Sequence, residues 1–177
     1  MSPPLPSKMG KLVRTAAIGA VALAVLAALL FAVAFFPRTE VTERPLTVPE
    51  AVAVCPIPLP ISATEVYVAS SRVGGFAGAH LVRFRAEEDV ALSLAQLVIA
   101  KYNEGESGAR VLSTMPTPIE SGPKLPDLLA YRLAPERVPW FDVERIHRGY
   151  TLGAGGARQP WFWIDTERGL CYYRMTD

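Results

Sequence analysis

Histidine, the side chain that most often performs acid–base catalysis, occurs only twice in this sequence. The histidines are His80 and His147, and Glu144 precedes the second by three residues, which gives a single E-x-x-H motif. In di-iron helix bundles this motif occurs twice and is joined by further carboxylates. Here it occurs once and beside a predicted strand, so we interpret Glu144 and His147 as a surface pair. The alternative is a small envelope enzyme that uses His80 or His147 with a nearby carboxylate.

Nucleophiles and metal ligands are equally sparse. No serine stands in a G-x-S-x-G motif, the local support that a hydrolase serine has. The cysteines, Cys55 and Cys171, are the only two in the chain. In an oxidising compartment they could form a disulfide, which for so long a loop would stabilise the fold by about 4–5 kcal/mol. The alternative is two buried free thiols. Without a C-x-x-C or H-x-x-x-H pairing, the sequence predicts neither a metal site nor a cofactor.

Two arginines, Arg83 and Arg85, alternate along a predicted strand and therefore share one face. Guanidinium groups placed in this way can clamp a carboxylate or a phosphate. We keep an anion contact as one hypothesis for this pair. The other is a solvated sheet face whose arginines pair with nearby acids.

Aromatic residues concentrate near the end of the chain. Eight of the 13 aromatic residues outside the apolar N-terminal segment lie between positions 140 and 173. Segments 161–165 and 170–175 flank the turn sequence TERG, a pattern typical of a β-hairpin. Because aromatic residues and arginine are enriched in interface hot spots, we predict a partner surface on this hairpin, formed by Tyr150, Trp161, Trp163, Tyr173 and Arg174. The alternative is that most of these side chains form core.

The elements that position these residues follow an uncharged N-terminal segment, residues 15–36. Its 22 residues would form a helix about 33 Å long, enough to span a hydrocarbon core of about 30 Å. The flank before it has a net charge of +3 and the flank after it −2. The positive-inside rule then predicts a single-pass membrane protein with a cytoplasmic N-terminus and an exoplasmic C-terminal domain. The alternative is a cleaved signal peptide that releases a secreted ligand-binding domain.

Small residues recur every fourth position in this segment. Such a ridge lets helix backbones approach closely in lipid, so we expect helix pairing as one outcome and chance composition as the other. The ridge consists of Ala16, Ala20, Ala24, Ala28 and Ala32.

The remaining chain suits one domain. Residues 1–14 are predicted to be a disordered basic tail, residues 37–60 a proline-rich linker and residues 61–177 a folded domain. Eighteen basic and 17 acidic residues leave a formal charge of +1, which argues against a nucleic-acid binder.

The predicted fold class is α+β. Strands are predicted at 64–72 and 80–86, followed by one main helix that opens at Glu87 and ends near Gly105. With the aromatic hairpin they predict an antiparallel sheet of about five strands under one packed helix. We expect the other face to be partly open to solvent or to a partner.

The leading functional hypothesis combines these features. The chain resembles the many small bacterial single-span proteins with an exported, periplasmic α+β domain, a likeness too general to transfer any residue role. We expect a membrane-anchored domain that acts as a binding module rather than as an enzyme. It would bind or brace a protein partner, such as a membrane complex to which it belongs as an accessory subunit.

Overall fold

The computed structural model describes residues 7–35, 38–73, 77–105, 111–124, 133–153, 156 and 159–176. The chain divides into two compact units, Met1–Phe36 and Pro37–Asp177.

The first unit consists of helix α1, Ser7–Phe35. It begins eight residues before the predicted start of the apolar segment, so residues 7–14 are helical. The reason is local, since lysine, arginine and leucine favour helix and no proline follows Pro6 in this stretch. Of the alanine ridge, Ala20, Ala24 and Ala28 are exposed. The side chain of Ala16 lies outside the described residues.

Among the described residues, no helix has the length and apolar character of a membrane span. The transmembrane interpretation of residues 15–36 stays a prediction.

The second unit is an α+β domain built on a seven-stranded antiparallel sheet, with few helices. This confirms the predicted class and exceeds the predicted strand number. The strand order is β1-β2-β3-β7-β6-β5-β4. The strands are β1 Arg38–Val41, β2 Thr64–Val73, β3 Ala77–Arg85, β4 Thr117–Ile119, β5 Gly149–Gly153, β6 Trp161–Asp165 and β7 Leu170–Thr176.

The segment interpreted as a linker contributes to this folded unit. It supplies the edge strand β1, an isolated bridge between Leu46 and Val66, and the short helix α2, Val48–Val52. Pro49 lies in the first turn of α2, where its missing N–H is harmless. Ala51 and Ile57 are buried and belong to the core, so this stretch packs against the domain.

One face of the sheet, the helix face, is covered by α2 and by α3, Glu88–Gly105. The buried stripe of α3 runs through Ala91, Leu94, Ala95 and Ile99. The 3.6-residue period of the sequence predicts a buried stripe that includes Leu97, and the observed stripe is rotated from it. The Leu97 side chain is 48% exposed.

The opposite face is covered by residues 133–148, the covering segment. It inserts Trp140, Phe141, Val143 and Ile146 against the sheet, and all four are buried. The sequence predicted that this face is partly open. That prediction is wrong for the area where the covering segment packs on the sheet. A segment rich in proline and turns, with a 3₁₀ helix at Val143–Arg145, has no periodic pattern that would reveal its role.

Candidate functional site

The predicted aromatic surface divides between the two faces of the sheet. Tyr150 and Tyr173 pack with the core of the helix face, whereas Trp161 and Trp163 pack with that of the covered face. Strand alternation places Arg174 on the covered face with the tryptophans. Trp163, Tyr173 and Arg174 are only 0%, 1% and 8% exposed, so the five residues do not form one accessible patch. The physical reason is that both faces of the hairpin are covered.

Trp161 is, with Tyr150, one of the two half-buried members of this set. Its ring centroid lies 4.3 Å from that of Trp163. Its Nε1–H donates a 2.8 Å hydrogen bond to Oγ1 of Thr151 on the neighbouring strand. Both the ring and the polar atom of Trp161 are therefore used within the domain.

A polar clamp fastens the covering segment to the hairpin. The hydroxyl of Tyr172 donates a 2.6 Å hydrogen bond to Oδ1 of Asp142. Nη1 of Arg168 lies 2.9 Å from the other oxygen of Asp142, and its Nε donates to Oδ2 of Asp165. Burial and the bond to Asp142 raise the pKa of Tyr172. The clamp therefore holds a neutral phenol against a paired carboxylate, an arrangement suited to bracing.

Asp165 also shapes the hairpin turn. Its Oδ1 accepts the backbone N–H groups of Glu167 and Arg168, each at 3.0 Å. Gly169 completes the turn with φ of +63°, a left-handed conformation that glycine adopts without strain. One carboxylate thus orders the turn and orients the arginine of the clamp.

Arg83 is a packing residue. Its guanidinium lies over the ring of Tyr67, 4.5 Å from the centroid. Its Nη1 donates a 3.3 Å hydrogen bond to the backbone oxygen of Trp140 in the covering segment. Because its side chain is only 15% exposed, Arg83 contributes mainly to packing inside the domain.

Arg85 is held by a carboxylate on a distorted strand. Glu65 lies where the register between β2 and β3 shifts, and its φ is +50°. Its Oε1 lies 3.0 Å from Nε of Arg85, and its Oε2 lies 3.9 Å from Nη2 of Arg83. An anion bound by the two arginines would therefore have to displace Glu65.

A polar cavity of about 410 Å³ adjoins Arg85. Its wall also carries Glu87, Glu88 and Asp165. Because these carboxylates outnumber the single arginine, the cavity does not favour an anion.

The histidines lie on different sides of the sheet. His80 shares its strand face with Val82 and Phe84, which belong to the helix-face core. His147 is exposed in the covering segment, over the other face, and Glu144 is exposed as well. No site in the described structure combines the two histidines.

The two cysteines are free thiols. Cys171 is fully buried in the helix-face core, and Cys55 packs partly buried against the same core. Burial raises the pKa of Cys55 to about 11 and that of Cys171 further, so both thiols are poor nucleophiles at neutral pH. Among the described residues, no three His, Cys, Asp or Glu side chains converge to hold a metal ion.

An apolar groove lies between α3 and the proline-rich stretch. It has a volume of about 410 Å³ and is lined by Pro58, Leu59, Pro60, Asp89, Val90, Ser93, Leu94 and Leu97. We call it the α3 groove. Ile61 follows Pro60 directly and is 96% exposed, so the groove continues into a large apolar side chain in solvent. A concave apolar surface of this kind is a common binding feature.

Sequence reasoning assigned Leu97 to the buried stripe of the helix and thereby missed the groove. The signal was present, because four apolar side chains in the helix, Leu94, Leu97, Val98 and Ile99, span more of the circumference than one sheet contact can cover.

Comparison of the chain with protein-family models, with curated proteins and with solved structures gives no significant match.

Proposed function

We propose that this chain is a membrane-anchored exoplasmic domain that docks a protein partner in the α3 groove, as an accessory subunit of a membrane complex. The exposure of Ile61 and Leu97 beside a formed groove carries the proposal. The domain's own elements cover both faces of the sheet at the aromatic hairpin, whereas these apolar side chains face solvent. A protein partner bound in the groove would remove these apolar side chains from water, which is favourable.

The charges beside the groove define its occupant. Glu87, Glu88 and Asp89 are exposed at the start of α3, and Asp89 lines the groove itself. A complementary partner segment presents apolar side chains to the groove and a lysine or arginine to Asp89. The partner of this chemistry is a protein segment with apolar anchors and a basic flank.

The anchor belongs to the same proposal. The uncharged segment and its basic flank support a helix that keeps the domain at a membrane. In cell fractions, the full chain should stay with the membrane through an alkaline carbonate wash, and added protease should reach the domain only from the exoplasmic side. Release by the wash, or protection of the domain on the cytoplasmic side, would contradict the anchor.

The docking surface is tested by two matched substitutions. Leu97→Glu places a charge in the groove, and Met115→Glu places the same charge on a side chain that is 72% exposed elsewhere. Both residues are solvent-exposed, so neither variant should disturb the fold.

We expect the wild type and Met115→Glu to run in the same larger assembly after mild detergent extraction. Leu97→Glu should run at a smaller size, without the partner. If all three proteins run at the same size, the groove is not the docking surface.

A further inference from the structure

The two edges of the sheet are built differently. The β4 edge carries Pro118 in the middle of a three-residue strand. Proline has no N–H to offer, which makes such an edge a poor template for further pairing. The β1 edge, Arg38–Val41, contains no proline, lysine or bulge. In the described part of the chain, no strand pairs with its outer side.

The hydrogen bonds to β2 reveal which backbone groups of β1 point outward. Thr42 N–H donates a 3.0 Å bond to the backbone oxygen of Val68. Because hydrogen-bonding direction alternates along an antiparallel strand, the backbone groups of Arg38 and Glu40 also face β2. Those of Thr39 and Val41 therefore point to the open edge.

The side chains of β1 are charged in a self-complementary order. Arg38 and Glu40 lie on one strand face, and both are exposed. No ion pair engages either of them within the described residues. A basic and an acidic residue flanking Thr39 can match an identical strand that runs in the opposite direction.

We propose that a second copy of this chain pairs antiparallel with β1 about a two-fold axis at Thr39. The two Thr39 residues exchange backbone N–H···O=C bonds. Arg38 of each copy lies opposite Glu40 of its partner, at the closer, non-hydrogen-bonded spacing of about 4.5 Å between Cα atoms. The two sheets become one continuous sheet across an isologous interface. This surface does not include the α3 groove, so the inference goes beyond the proposed function.

The charges select this register over its neighbours. Pairing must bring outward-pointing residues together, so the axis falls at Thr39, at Glu40 or at Val41. An axis at Glu40 places two glutamates opposite each other, which is unfavourable. An axis at Val41 places each Glu40 opposite Thr42 and gives no opposite-charge pair. Only the Thr39 register forms two ion pairs.

Charge reversal tests the pairing directly. Arg38→Glu leaves β1 with two acids, and Glu40→Arg leaves it with two bases, on exposed side chains whose change should not affect the fold. Sedimentation of the full chain in detergent should show a wild-type dimer, and each variant alone should dissociate about tenfold more readily. An equimolar mixture of the two variants should recover the dimer, because each acid then meets a base. A monomeric wild type, unweakened single variants or a mixture that does not recover would each overturn the proposal.

A cysteine on the axis provides an independent readout of the register. Cα atoms of a hydrogen-bonded antiparallel pair lie about 5.5 Å apart, within the range of about 4.4–6.8 Å that a disulfide requires. Oxidation should covalently join copies of Thr39→Cys and leave Glu43→Cys unjoined, since position 43 has no symmetric counterpart within reach. Equal cross-linking at both positions, or none at position 39, would overturn the Thr39 register.

Discussion

The Tyr172 hydroxyl donates a 2.6 Å hydrogen bond to Asp142, a residue 30 positions earlier in the chain. This contact joins the strand β7, in the middle of the sheet, to the covering segment. Arg168 binds the second oxygen of the same carboxylate. The covered face is therefore closed by a charge-assisted network as well as by apolar packing.

Removing the Asp142 carboxylate should loosen this closure. Asp142→Ala leaves the Tyr172 hydroxyl without its acceptor and Arg168 without one of its two carboxylates, so we expect the free energy of unfolding to fall by about 2–3 kcal/mol. Urea denaturation measures the change. Glu144→Ala, at an exposed position two residues away, is the control and should stay within about 0.5 kcal/mol of the wild type. Equal losses in the two variants would show that the Asp142 clamp does not stabilise the closure.

The left-handed backbone of Glu65 predicts an unusual order of stability for two substitutions at this position. In an ordinary strand position alanine is more stable than glycine. At φ of +50°, however, a Cβ atom is strained, so Glu65→Gly should be more stable than Glu65→Ala by about 1 kcal/mol. Both variants lose the contacts to the arginines, which makes the comparison insensitive to charge. Thermal unfolding of the two variants decides it, and a more stable alanine variant would contradict the strain.

The cysteine thiols predict a loss of stability at alkaline pH. The pKa of Cys55 is about 11 in the folded chain against an ordinary value of 9.0, so the folded state holds this proton more tightly. Its contribution is fully present below pH 9 and is lost as the pH rises towards 11. Cys171 and Tyr172 act in the same direction.

Denaturation curves from pH 7 to pH 11 should therefore show stability falling above pH 9. A Cys55→Ser variant should show a shallower fall, whatever its stability at neutral pH. Identical slopes for the two proteins would show that Cys55 does not titrate as its burial requires.

Two nearby residues on α3 should lose very different amounts of stability on truncation. Ile99 is fully buried, whereas Leu97 is 48% exposed. Ile99→Ala should lower the free energy of unfolding by about 2–4 kcal/mol, since it leaves a cavity in the core. Leu97→Ala should cost about 0.5 kcal/mol or less. Urea denaturation of the isolated full chain tests both, and a large loss for Leu97→Ala would place that side chain in the core.

Local patterns predicted the elements that carry their own signal. The strands β2 and β3, the helix α3 and the hairpin of β6 and β7 all have strong periodicity or turn chemistry. The alternation of Arg83 and Arg85 against Val82 and Phe84 is likewise found in the structure. These features depend on neighbours close in sequence.

The missed features depend on distant residues. The strand β1 forms only because β2 pairs with it, 30 or so positions later in the chain. The covering segment has no periodic pattern, and its tryptophan and phenylalanine are positioned by the sheet beneath. The clamp at Asp142 has no local motif either. The sequence feature that pointed to the clamp is that a tyrosine buried in a hairpin needs a hydrogen-bond partner.

The most direct test of partner docking is position-specific photo-crosslinking in intact cells. A photoreactive residue replaces Ile61 beside the α3 groove, and in a control it replaces Val111, which is 75% exposed and does not line the groove. We expect position 61 to give a discrete cross-linked product with another protein, and Leu97→Glu in the same chain to abolish it, while position 111 gives none. No product at position 61, or the same products at both positions, would contradict a partner in the groove.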